Sequence, residues 1–329
     1  TDYLGMLTIK VGFNTSQAGW WKGGQFYLHA ANTHGASPSV ELLGDFQVAS
    51  NIEAGNHTYV QELWFKQSAG KMEFTVGLQD LNVEFVNTHY GAHYFNSSFG
   101  VMPVISGNFA APIFPLTTLG ITWKWNISEK TSWLNALYDG NPADFNHNPH
   151  NLRWSYNEGD GILAITEIQH NPNRNELTAT YKIGAFYRNH IAEKILNISL
   201  PDSLNKNQVG IYAVIDKEIW KEVNKSFGIF TQLGYSPTAD SQCNIYAGLG
   251  MNFTGLFSKK GNDVLGLALA HVGFRGKIKD ETACELSYRY QINDHLFIQP
   301  DIQYIIHPAG TGKTLNNSFA GLLRVGVEI

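Results

Sequence analysis

From Cys284 to Gln291, Leu286, Tyr288 and Tyr290 alternate with Glu285, Ser287, Arg289 and Gln291, the pattern of an extended segment with one apolar and one polar face. The rule repeats in the next run. Leu296, Ile298, Pro300, Ile302, Tyr304 and Ile306 share one side, and Gln299, Asp301 and Gln303 the other. A third run sets Phe319, Gly321, Leu323, Val325, Val327 and Ile329 against Ser318, Ala320, Arg324 and Glu328. Each run is about ten residues long, enough for a tilted strand to cross a bilayer. Scanning the rest of the chain with this template gives about sixteen strands, beginning near Tyr3, Gly24, Val40, Thr58, Met72, Thr118, Ser132, Gly161, Leu177, Val209, Ser226, Cys243, Asp263, Thr282, Leu296 and Asn317.

An even count places both termini on one side and sorts the connections by parity. One side receives the longer ones, 80–117, 140–160, 189–208 and 307–316; the other receives 68–71, 127–131, 221–225 and 292–294. Long loops on one side and short turns on the other is the arrangement of an all-β, antiparallel transmembrane barrel with short periplasmic turns and long extracellular loops. A soluble sandwich also alternates, but a soluble barrel fills its centre with apolar side chains, whereas here the polar faces carry large charged groups in series. Trp123, Trp125, Trp133, Trp220, Tyr288 and Tyr290 fall at strand ends beside the short turns, the position of an aromatic girdle. Cys243 and Cys284 are expected to point outward from strands two apart, roughly 10 Å at the usual strand spacing, and to remain unbridged.

Composition agrees with this picture. Only 16% of the 329 residues are charged, below the roughly 25% of soluble domains, while 43% are apolar and 13% aromatic, which excludes a disordered chain. A net charge of −5 without a Lys/Arg cluster argues against nucleic acid as a partner. No apolar run is long enough for a spanning helix; the nearest, Val264 to Phe274, is broken by Gly266, His271 and Gly273. A chain starting at Thr1 reads as a processed mature form. The segment from His307 to Thr314 lacks the first glycine of a phosphate loop. His89 and His93 lack the glutamate of a zinc helix, and Asp139, Asn141 and Asp144 lack calcium-loop spacing. No metal or cofactor is expected.

Several segments are similar to one family. Gly19-Trp-Trp-Lys-Gly-Gly24, Leu43 through Ala54, Glu62-Leu-Trp64, Gly77 through Phe85, Phe95-Asn-Ser-Ser-Phe-Gly100, Tyr138-Asp-Gly140 and Gln299-Pro-Asp-Ile-Gln-Tyr304 with Pro308 resemble, in order, the carbohydrate-selective, OprB-like porins of Gram-negative outer membranes. The resemblance implies one sixteen-stranded barrel over 1–329, monomeric or homotrimeric, surrounded by outer-membrane lipid and lipopolysaccharide, through which glucose-like mono- and disaccharides diffuse. In such a pore, diameter, lining hydrogen-bond groups and charge set selectivity. The inward candidates are Glu62, Lys66, Glu167, Lys182, Arg188, Glu285, Arg289, Gln299, Asp301, Gln303, Arg324 and Glu328. The 80–117 loop, with Tyr90, Tyr94, Phe95, Phe99 and Phe109, is too aromatic for a solvated excursion and is expected to fold into the barrel as a constriction. A plugged barrel serving a larger complex, or a barrel hydrolase, are the competing functions; no G-x-S-x-G element supports the latter.

Overall fold

The computed structural model describes residues 1–156, 159–172, 177–189, 207–239 and 241–329. Among these residues, fifteen strands form one antiparallel sheet in which each pairs with its sequence neighbours. They are β1 (Leu4–Asn14), β2 (Gly24–Gly35), β3 (His57–Ala69), β4 (Met72–Gln79), β5 (Thr118–Asn126), β6 (Thr131–Asp139), β7 (Ile162–His170), β8 (Ala179–Asn189), β9 (Gln208–Lys221), β10 (Ser226–Tyr235), β11 (Cys243–Thr254), β12 (Asp263–Phe274), β13 (Glu281–Gln291), β14 (Leu296–Ile306) and β15 (Ser318–Val327). Among the described residues β1 pairs only with β2 and β15 only with β14.

The expected alternation holds along these strands. On β13 and β14, Glu285, Ser287, Gln299, Asp301 and Gln303 are buried on the inner face while Leu286, Pro300, Ile302 and Tyr304 are exposed on the outer one. Around the sheet the outer face continues through Leu7, Ile9, Val11, Val76, Ile121, Ile168, Ile183, Ile211, Leu233, Leu249, Leu267 and Leu323, all exposed. Exposed apolar rows over a buried polar face are the inverse of a soluble barrel and suit a hydrocarbon surround. Trp125, Trp133, Trp220 and Tyr290 are exposed near the short turns, with Trp123 and Tyr288 half-buried beside them.

Two expectations are corrected. The apolar run at Val40 is no strand: Ser39–Leu43 make one helical turn, with Pro38 (φ −60°) before it and Gly44 (φ +67°) ending it, and the Gly44 N–H donates to the Ser39 carbonyl. Pro38 and Gly44 bracket too few residues to make a ladder, and the run carries Val40 and Leu42 on its exposed side. Among the described residues the count is therefore fifteen rather than sixteen, so the β1 and β15 outer ends face opposite sides instead of sharing one. Cys243 is also not outward. The register slips between Cys243 and Ile245, and such a bulge turns a side chain to the other face, so Cys243 is fully buried and only Cys284 stays on the outer side; both are free thiols.

With this count the short connections 70–71, 127–130, 222–225 and 292–295 gather at one end, and 36–56, 80–117, 140–161 and 307–317 at the other. Gly70 adopts φ +59°, the left-handed geometry that a two-residue hairpin turn requires. Of the long connection expected over 189–208, residues 190–206 lie outside the described residues. The ladder between β13 and β14 is interrupted opposite Pro300, which has no N–H to donate.

Candidate functional site

Two long connections, 36–56 and 80–117, enter the space enclosed by the sheet. The second carries two helical turns, α1 (Leu81–Glu84) and α2 (Pro103–Ser106), and little other regular structure. A buried irregular segment must still satisfy its backbone, and here inward side chains of the wall do so. The Glu285 carboxylate accepts the N–H groups of Phe95 (2.6 Å) and Asn96 (3.0 Å). Asp216 accepts those of His89 and Tyr90, each at 3.1 Å, and Glu167 that of Val86 at 2.9 Å. Glu281 receives Phe46, Gln47 and Ala309 at 2.8, 3.0 and 2.7 Å. Side-chain amides serve the carbonyls: Gln299 donates to His93 (2.8 Å), Gln303 to Ala49 (2.8 Å) and Gln232 to Phe99 (3.0 Å).

The same loop brings an apolar face. Phe85, Phe99, Met102, Val104 and Ile105 are buried against Tyr138, Phe186, Tyr212, Phe230 and Tyr246 of the wall. Phe99 meets Phe230 edge-on at 5.7 Å and Tyr94 at 5.0 Å. Tyr94 is tied further by its hydroxyl, which donates to Asn252 at 2.8 Å. Burial raises the Tyr90 hydroxyl to about 12 and lowers His93 to about 4.

The inward candidates therefore separate into two groups. Glu167, Lys182, Arg188, Glu285, Gln299 and Gln303 are buried, and their polar ends are engaged by the loops or the wall: Lys182 donates to the Asn87 carbonyl at 2.7 Å, and Arg188 to that of Gly140 at 2.6 Å. Arg289, Arg324, Lys66 and Glu328 are half-buried or exposed. Arg324 lies 3.8 Å from the Phe95 ring and donates to Asn51 at 2.7 Å. Arg289 covers Phe297 at 3.7 Å and pairs with Glu328 at 3.1 Å. Lys66 pairs with Glu84 at 3.2 Å, and Asp301 accepts from Gln303 at 3.2 Å.

Glu62 belongs to a further constellation that the strand pattern did not single out. Cross-strand register aligns Lys10, His29 and Glu62 in one inward row and Gly12, Tyr27 and Trp64 in the next. His29 Nδ1 is 3.3 Å from Glu62, whose other oxygen accepts the Trp64 indole N–H at 3.1 Å. Tyr27 and Trp64 stack at 4.8 Å with 25° between planes. With Gln61, Asp80, Val83 and Phe114 these residues line a cavity of about 280 Å³. Asp80 accepts Asn82 N–H (2.8 Å), Phe114 N–H (3.0 Å) and the Gln61 amide (3.1 Å), and burial, with Glu62 nearby, lifts its carboxyl to about 6. The signal for Tyr27 and His29 was present in the sequence: they alternate with Phe26, Leu28 and Ala30. Asp216 and Glu281 were equally open to that rule.

Residues 1–329 match the family described as carbohydrate-selective porin, OprB family. The chain belongs to that family. It is an outer-membrane sugar porin, a Gram-negative β-barrel channel. Porin B of Pseudomonas aeruginosa is 20% identical over 370 residues, with 97% of this chain and 80% of that protein covered. The putative porin QuiX of Acinetobacter baylyi is 21% identical over 369 residues, covering 98% and 82%. Among solved structures, Pseudomonas putida OprB at high pH superposes with a TM-score of 0.84 at 17% identity, over 99% of this chain and 88% of that one. That likeness fixes the architecture.

Proposed function

We propose that the 80–117 loop is the constriction of this OprB-family porin, and that small neutral sugars of the glucose class pass beside it along the polar walls of β1–β3 and β15 and the Arg289 end of β13. The observation that carries this reading is the fastening of the loop: wall carboxylates and amides hold its backbone from Val86 to Phe99, and its aromatic residues are buried against β6–β12. The opposite walls keep Arg289, Arg324, Lys66 and Glu328 less covered. These groups exchange hydrogen bonds with successive hydroxyls, so a sugar sheds its water in small steps. Arg324 caps the buried ring of Phe95, which holds its guanidinium at the edge of that path.

Outer-membrane lipid, including lipopolysaccharide, is the surround that the exposed apolar rows fit. Liposome swelling with a panel of sugars tests the function. Glucose should enter faster than a large oligosaccharide, and equal rates would remove the selectivity. Absence of both swelling and bilayer conductance would instead favour the plugged barrel, in keeping with the packed apolar cluster under the loop.

A further inference from the structure

We infer that the cleft between the 275–280 and 307–317 connections is a docking site for lipopolysaccharide, which holds the phosphorylated sugar headgroup of one molecule at the outer rim of β13–β15. The inference rests on the reading of the exposed apolar rows as lipid-facing and gives that surround one fixed place.

Three observations meet here. The first is position. Both connections lie at the end of the sheet that carries the long loops, the extracellular end of such a barrel. Asn317 donates to the Tyr304 hydroxyl at 2.8 Å, and Tyr304 is exposed on the outer face with Ile302, Phe319 and Leu323. The cleft therefore sits where the apolar wall ends, beside a tyrosine at the depth where such rings settle between hydrocarbon and headgroups.

The second observation is charge. The Lys279 N–H donates to Thr314 Oγ1 at 3.0 Å, which draws together two connections that carry Lys277, Lys279 and Lys313, all exposed. None of the three has an ion-pair partner among the described residues. The carboxylates that follow Lys279 are engaged elsewhere: Asp280 accepts the Phe274 N–H at 3.1 Å and faces His271 at 3.7 Å, and Glu281 is buried beneath the N–H groups of Phe46, Gln47 and Ala309. Unpaired ammonium groups at a membrane surface attract anionic headgroups, and their hydrogen bonds to phosphate are charge-assisted.

The third is size and lining. The cleft holds about 540 Å³ among Lys279, His307, Thr314, Leu315, Asn316 and Asn317, with no carboxylate among them. A lone phosphate leaves most of that space empty, whereas a phosphorylated sugar fills it. The Thr314 O–H and the Asn316 amide are donors for its oxygens. The His307–Thr314 segment, which fails as a nucleotide loop, thus brings a cation and a hydroxyl to a lipid phosphate instead. Because lysines supply the positive charge, no bridging metal ion is needed.

The test is native mass spectrometry of the full chain in detergent, titrated with bisphosphorylated lipid A, the acylated disaccharide of lipopolysaccharide. Wild type should bind it about tenfold more tightly than dephosphorylated lipid A or phosphatidylglycerol, and equally well in EDTA. Lys279→Gln combined with Lys313→Gln should weaken lipid A binding about tenfold, while Lys225→Gln at a short turn should leave it unchanged. Equal affinity for the three lipids, loss of binding in EDTA, or a double variant indistinguishable from wild type would overturn the site. If Leu249→Arg on the outer face still destabilises the bilayer-inserted barrel under any of those outcomes, the lipid-facing wall stands without it. No effect of Leu249→Arg together with no binding of lipid A would overturn both.

Discussion

At the scale of single residues, the recurring device is a wall carboxylate that receives two or more backbone N–H groups from an incoming loop, as Glu285 does for Phe95 and Asn96. A charged acceptor strengthens such bonds, and removing it strands buried donors at about 1–3 kcal/mol each. Glu285→Ala should therefore loosen the loop without unfolding the sheet, seen as new proteolytic cleavage near Phe95 and noisier single-channel current. His93 supplies a pH dependence. Burial lowers it from 6.5 to about 4, so the released loop binds a proton more readily than the docked one, and docking weakens as pH falls from 6.5 toward 4. Over that window the loss approaches about 3 kcal/mol. Current fluctuations should rise on acidification and should be much less acid-sensitive in His93→Gln; an unchanged acid response in that variant would show that other groups govern the loop.

At the scale of elements, the two inward connections differ in how they announced themselves. The 80–117 loop was legible because Tyr90, Tyr94, Phe95, Phe99 and Phe109 have no place in open water. The 36–56 segment was not, because Val40, Leu42 and Leu43 imitate a strand, and only tertiary context shows that Pro38 and Gly44 close it into a turn. Individual roles inside the barrel were illegible for a related reason. Alternation tells which side a residue faces but not what approaches from across the interior, so Glu167 and Glu285 could not be distinguished from Arg324 or Glu62. Deleting Gly91 to Gly107 removes the most firmly held part of the loop, and single-channel conductance should rise; an unchanged value would place the narrowest point elsewhere.

At the scale of the molecule, the outer face decides where the protein can exist. Leu249, at the middle of β11 and exposed, faces hydrocarbon in this reading, and an Arg there costs about 2–4 kcal/mol near the bilayer midplane. Leu249→Arg should lower the urea midpoint of the bilayer-inserted barrel, and equal stability would argue that this face meets water. All fourteen neighbouring strand pairs among the described residues are consecutive in the chain, which is why the fold could be read from a two-residue period alone.

The loop's fasteners obey a different order. Phe95 is held by Glu285, 190 positions later, and Asn96 meets Gln303, 207 positions later. The sheet can grow hairpin by hairpin, yet these clamps close only when strands from both ends of the sequence face the same interior. An assembling barrel is thus wide before it is narrow, with Tyr94, Phe95 and Phe99 unsheltered during the interval. Chaperone shielding of this segment is most needed then, and with the loop as the proposed constriction, sieving by size is the last property the maturing protein acquires.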